Sequence, residues 1–317
     1  MQDAMRRPLR LFILLLLLAL AGCRHGPPLK VGSNQWPGYE PVYLARDLGL
    51  LPADAVKLVE LPSSTEVMQY LRNGSLDAGM LTLDEVISLL AEGVPLQVVL
   101  VMDVSDGADA VLAKPEIGSL EQIRGRRVGV EISALGALML ESLLQAAHLE
   151  QKDIQVVNLP VDQHAQAFRE GRVDVLITFE PTRSRLLAEG ARELFNSHQI
   201  PGRIIDVLAV RREAAREHNE HLHRLLRAYF RARRAMREDP DGSNRRMAPR
   251  LGVDPETLKT MFAGMHLPDL AENRDWLGGP RLTRQAERLA RMMREWQLIA
   301  TTPSLDGLAT PRYLPAR

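Results

Sequence analysis

VELPSSTEVMQYLRNGSLDAGMLT, residues 59–82, reads as the end of a strand, a helix and a second strand, and the chain says it twice. Residues 56–61 are mostly apolar. Ser63, with Glu66 three places on, forms a capping box, which marks a helix start. Asn73-Gly74 stops that helix, because glycine takes the left-handed cap at little cost. Residues 78–81 are short and apolar, as a buried strand requires. VNLPVDQHAQAFREGRVDVLIT, residues 157–178, has the same form. The Leu-Pro pairs lie 98 apart, while Gly74/Gly171 and Asp77/Asp174 lie 97 apart, so one residue is gained and lost. Outward from this core, KVGS at 30–33 returns as RVGV at 127–130, and LLAEG at 89–93 returns at 186–190, both at an offset of 97. Matching anchors in matching order mark an internal duplication.

Each copy runs strand, loop, helix, strand, helix, strand, helix. In the first copy Thr82 to Glu85 makes a second capping box, and Val86, Leu89 and Leu90 supply an apolar helical face. Strands alternating with helices imply a parallel sheet in each half. Ligands of such sheets bind beyond the carboxyl ends of the strands, where helix N-termini point. Two α/β lobes therefore face one another across a cleft. Residues 96–102 are apolar, 103–107 are polar and 110–113 are apolar again, which carries the chain from one lobe to the other. RIIDVLAV at 203–210 carries it back, and paired crossings of this kind form a hinge. The expected division is lobe one at 29–107 plus 208–317 and lobe two at 108–207.

The 317 residues hold 40 acidic and 40 basic side chains, so there is no basic surplus of the kind nucleic-acid binders carry. Arg6, Arg7 and Arg10 precede an unbroken apolar run at 11–21, about 16 Å of helix and too short to span a bilayer. The run ends in Leu20-Ala21-Gly22-Cys23, which looks like a bacterial lipobox, and Cys23 is the only cysteine. The reading is a lipoprotein signal peptide at 1–22, a lipid-modified Cys23 and a linker at 23–28. That places the protein in the cell envelope, facing the periplasm or the exterior, without a disulfide.

NQWPGYEP (34–41), LPSSTEV (61–67), TLDEV (82–86), DVSDGAD (103–109), VGVE (128–131) and TFEP (178–181) together resemble the periplasmic substrate-binding proteins of ABC importers. The group resembled is that of nitrate, sulfonate, taurine and thiamine-precursor binders, over nearly the whole mature chain. The resemblance implies a two-lobed, periplasmic-binding-protein-like type II clamshell. It also implies a monomer that captures a small molecule and hands it to a permease with a cytoplasmic ATPase subunit. Fungal pyrimidine-precursor synthases share the fold and are enzymes.

The strand ends nominate the ligand site. In lobe one they carry Asn34 and Trp36, Ser63 and Ser64, Thr82 and Asp84, and Asp103; in lobe two they carry Glu131 and Ser133, Asp162, and Phe179 with Glu180. Trp36 either stacks on a ligand or packs under its own loop. Ser63, Ser64 and Thr82 serve as helix caps or as an anion seat, and Asp84 offsets a helix dipole. Glu131, an acid between Val130 and Ile132, needs a partner if buried. Glu180 suits ligand contact or a helix start before Pro181, and Asp103, Asp106 and Asp109 also suit turns. Acids outnumber bases here, Arg183 being the nearest cation. The expected ligand is therefore an amine, amidine or aminopyrimidine-like molecule rather than an anion.

His218, His221 and His223 read as the solvated face of an amphipathic helix, not as a metal site. No nucleophile elbow, phosphate loop or zinc pattern occurs, so neither cofactor nor metal is expected. The competing functions are an enzyme on the same fold, disfavoured by a cleft without histidine, and a ligand sensor without transport. The tail from 301 to 317 is expected to lie along a surface.

Overall fold

The computed structural model describes residues 26–316; the expected signal peptide at 1–22 and Cys23 lie outside the described residues. The chain order is β1 Leu29–Ser33, α1 Glu40–Asp47, β2 Val56–Glu60, α2 Ser64–Arg72, β3 Ala78–Thr82, α3 Leu83–Ala91, β4 Leu96–Ser105 and β5 Asp109–Ala113. There follow β6 Arg127–Val130, α4 Ala134–Ala147, β7 Gln155–Asn158, α5 His164–Arg169, β8 Val175–Phe179, α6 Thr182–Ala188, β9 Arg192–Asn196 and β10 Ile205–Arg211. The remaining elements are α7 Arg212–Glu217, α8 Asn219–Glu238, α9 Pro240–Leu251, α10 Pro255–Ala263, β11 Met265–His266, α11 Leu270–Gly278 and α12 Arg281–Glu295.

The strands form two sheets, β11-β4-β10-β3-β1-β2 and β7-β6-β8-β5-β9. Each is parallel at its repeated core, β1 with β2 and β3 in one and β6 with β7 and β8 in the other. The duplication is visible in the register. Val31 pairs with Ala78 and Val128 with Val175, each partner displaced by 97 positions. Asp77 accepts from the Lys30 amide at 2.8 Å, and Asp174 accepts from the Arg127 amide at 3.0 Å. Gly32 and Gly129 are equivalent for a steric reason, since a Cβ would meet Leu76 at 2.3 Å in one copy and Leu159 at 2.9 Å in the other.

The chain leaves the first sheet after β4 and returns with β10, which starts at Ile205 and runs antiparallel between β3 and β4. The two crossings touch. Ser197, fully buried, shares a 2.8 Å hydrogen bond with Ser105 and accepts from the Gly107 amide at 2.6 Å. The tail at 301–316 lies along the surface as expected, pinned where Leu308, Tyr313 and Leu314 are buried and where the Val98 amide donates to Leu308 O at 2.6 Å. One sequence expectation changes here. His218 and His221 are buried rather than solvated, their rings stacked 5.4 Å apart, because α7 and α8 meet at that point.

Candidate functional site

Strand ends β1, β3 and β8 and the start of β5 converge between the sheets, as the doubly wound geometry requires. They enclose a first hollow walled by Trp36, Tyr39, Glu85, Asp109, Phe179 and Asp206, with Asn34, Ser64, Thr82 and Leu135 completing it. Trp36 and Phe179 come from opposite lobes and meet edge to face, their centroids 5.9 Å apart. A second hollow adjoins the first, sharing Ser64, Asp109, Leu135 and Phe179, and leads to Glu131, Ser133 and His164. Each is a cavity of about 20 Å³, room for a single water. Outside Phe179 and Asn34 lies an open chamber of about 470 Å³, bordered by Gln35, Asp162, Pro181 and Arg185. A ligand larger than water reaches the inner hollows only when the lobes part.

Carboxyls dominate the inner walls. Asp103 and Asp206 face one another across β4 and β10. Asp103 accepts from the Trp36 indole at 3.0 Å and Asp206 from the Tyr39 hydroxyl at 2.6 Å. Burial raises both: Asp103 stands at about 7, and Asp206 lies well above the carboxylate range because of burial and then the charge of Asp103. Two carboxyls so placed do not both ionise readily, and one proton serves the pair. Burial also lifts Asp109 to about 7 and raises Glu85, and it lifts Glu131 to about 7, with the Glu85 charge as the next cause. Among the described residues no Lys or Arg lines either hollow. Among the described residues no group of three or more His, Cys, Asp or Glu is placed to hold a metal ion.

The residues nominated from sequence divide. Asn34, Trp36, Ser64, Thr82 and Phe179 line the first hollow, and Glu131 and Ser133 line the second. Ser63 caps α2, accepting from the Glu66 amide at 3.3 Å. Ser133 caps α4 in the same way, accepting from the Gly136 amide at 3.1 Å. Asp103 stands behind Trp36 and supports its ring rather than facing the hollow. Asp84 is fully buried in the first turn of α3 and lines neither hollow; burial and then Glu85 lift it to about 8. Glu180 is also fully buried and lines neither hollow. It accepts from Arg183 at 2.9 Å and from the Ser184 amide at 3.0 Å, so it anchors the start of α6.

The sequence profile of the NMT1-like family matches residues 24–251, well over half of the chain. The chain belongs to the NMT1-like family. The taurine-binding periplasmic protein of Escherichia coli (strain K12) is 22% identical over 182 residues, which cover 56% of this chain and 57% of that protein. The aligned region thus spans little more than half the length of that relative. Among solved structures, the alkanesulfonate-binding protein SsuA from Xanthomonas axonopodis pv. citri, bound to MOPS, superposes with a TM-score of 0.75 at 18% identity, covering 89% of this chain and 97% of that one. The desulfurization enzyme DSZB superposes with a TM-score of 0.67 at 18% identity, covering 90% and 97%. The fold of this NMT1-like chain is the two-lobed periplasmic-binding-protein fold, and that fold carries both binders and an enzyme.

Tyr39, Glu85, Asp206 and His164 line the hollows without having been nominated from sequence, and Asp109 had been weighed only as a turn residue. Asp206 carried a usable signal, an acid inside the apolar run RIIDVLAV, the same signal that singled out Glu131. The cleft does contain a histidine. His164 is buried, its Nδ1 3.1 Å from the Thr178 hydroxyl and its Nε2 3.1 Å from Leu159 O, and burial lowers it to about 4. It is a neutral strut at physiological pH.

Proposed function

We propose that this NMT1-like protein is the substrate-binding component of an ABC importer, anchored outside the cytoplasm by lipid on Cys23. In this reading a monomer closes its lobes on a small organic cation, amine- or aminopyrimidine-like, and docks on a permease driven by an ATPase subunit. The observation that carries it is the first hollow: Glu85, Asp109 and Asp206 beside the Trp36 and Phe179 rings, with no cationic side chain among the described residues of its walls. An aromatic-walled acidic hollow selects a flat or compact cation.

The importer role draws on relatives named as binding proteins, one of them periplasmic. Those relatives are named for taurine and alkanesulfonate, whereas Arg183, the cation beside TFEP, is already engaged by Glu180 at 2.9 Å and by Glu193 at 2.6 Å. That pairing leaves little positive charge for a sulfonate. The enzyme reading draws on DSZB, an enzyme of the same fold. Among the described residues the inner hollows offer no Cys or Lys, and the histidine there, His164, is kept neutral by burial, so binding is favoured over turnover. A sensing role uses the same site and differs only in the membrane partner.

Native mass spectrometry of protein purified from its own envelope tests the ligand class. The expected adduct is a small molecule with a basic nitrogen. An adduct without one overturns the cationic reading, and recovery of a chemically altered ligand after incubation overturns the binding role.

A further inference from the structure

The two inner hollows adjoin, with Ser64, Asp109, Leu135 and Phe179 as shared walls. Carboxyls stand at both ends, Glu85 and Asp206 at one and Glu131 at the other. Glu85 and Asp109 are 1% and 2% exposed, and Glu85 Oε1 and Asp109 Oδ2 have no hydrogen-bond partner among the described residues. Buried acceptors left in that state are costly, and a donor arriving from outside relieves them. The far end resembles the near one in sign. His164 faces Glu131's hollow, but its ring is fixed between Thr178 and Leu159 and carries no charge at neutral pH. The hydroxyls of Ser63 and Thr65 lie within reach of the Glu131 carboxyl and bring no charge either. Against the full charge of the carboxylate stand the N-termini of α4, capped by Ser133, and of α2, capped by Ser63, each about half an elementary charge, so no net positive charge is left at this end. Between the two ends the walls are Leu135, Phe179 and, further in, Met139 and Ile177, which suit a methylene or aryl spacer.

We infer that the ligand is doubly cationic, with one basic group seated among Glu85, Asp109 and Asp206 and a second, joined by an apolar spacer past Phe179, seated against Glu131. This rests on the cationic reading of the first hollow and adds a second seat to it. Glu131 becomes the residue that separates two-ended cations from one-ended ones. Because both hollows are tight, such a ligand takes its place as the lobes part and reclose around it.

The test is calorimetric titration of the purified protein and of Glu131→Gln with three probes. These are α,ω-diaminoalkanes of three to eight carbons, n-alkylamines of matched length, and taurine as a molecule with one cationic and one anionic end. The best diamine is expected to bind about tenfold or more tightly than its matched monoamine, the scale of one charged hydrogen bond in a desolvated site. Glu131→Gln is expected to bring that ratio close to one. Glutamine keeps the shape of the side chain, and monoamine binding by the variant reports that the first hollow still forms. Three outcomes overturn the inference: equal affinities for matched mono- and diamines, a ratio that survives Glu131→Gln, or taurine binding more tightly than every diamine. The last would place an anion at the start of α4. Each of these leaves the cationic first seat standing. If no amine binds at all, the cationic reading fails and this inference with it.

Discussion

Trp36 meets Phe179 edge to face across the cleft, with ring centroids 5.9 Å apart and planes at 81°. The sequence left two readings for Trp36, stacking on a ligand or packing under its own loop; the indole is 4% exposed, covered in part by Phe179 of the other lobe, and still lines the first hollow. One lobe supplies the indole and the other the phenyl, so the contact exists only when the lobes are together. Its burial gives the ring a structural task as well as a ligand-facing one.

Trp36→Ala is therefore expected to lower stability by about 3–5 kcal/mol, the usual cost of emptying a large buried aromatic site. Trp36→Phe keeps a ring but removes the donor to Asp103, and is expected to cost about 1–3 kcal/mol. Urea unfolding of both variants measures this. An alanine variant as stable as the parent would show that the indole is not packed as described.

Glu180 separates structure from binding in the opposite way. It holds Arg183 and the first turn of α6 while lining neither hollow. Glu180→Gln should lose about 1.5–3 kcal/mol of stability, the worth of a charged hydrogen bond. Its ligand affinity should change far less than that of Asp206→Asn, which alters the wall itself. Titration of both variants with the same amine decides, and a larger affinity loss in Glu180→Gln would place that carboxylate in the site.

The duplication and its register were legible because they depend on local pattern: caps, apolar runs and close-packed glycines such as Gly32 and Gly129. Half of the inner wall was not. Tyr39 follows Trp36 by three residues, and its direction depends on the short helical turn at Pro37–Tyr39, which the Trp-Pro-Gly bend does not announce. Asp109 looks like a turn residue until β5 pairs with β8 and sets it opposite Phe179. Asp206 becomes a neighbour of Asp103 only when β10 inserts between β3 and β4, a contact between residues a hundred positions apart. The buried histidines 218 and 221 show the same limit, since a helix face turns inward only when another element arrives to cover it.

Membrane attachment tests the part of the reading that lies outside the described residues. Cys23→Ala should move the protein from the membrane to the soluble fraction when cells are fractionated, because a single uncleaved or unlipidated chain lacks two-chain anchoring. Unchanged membrane association in that variant would reject lipid on Cys23.

The buried carboxyls give the ligand-free protein an unusual pH dependence. In the folded chain Asp84 stands at about 8, and Asp103, Asp109 and Glu131 stand at about 7. Unfolded, the same acids titrate near 4. Between those limits the native state holds protons that the unfolded state has released, so stability is full below about pH 4 and declines as pH rises through 7 to 8. Half-buried acids paired with arginine, such as Asp174, act in the opposite sense, but their contribution is lost only as pH falls below the ordinary carboxylate range. The melting temperature of the ligand-free protein should therefore fall between pH 5 and pH 8.5. Asp109→Asn should flatten that slope, since it removes one of the groups that must ionise in place. A bound cation favours the ionised carboxyls, so the stabilisation conferred by an amine should grow over the same range. A melting temperature that instead climbs with pH in the ligand-free protein would mean that these carboxyls are already ionised and compensated in the fold, leaving the hollow without its need for a cation.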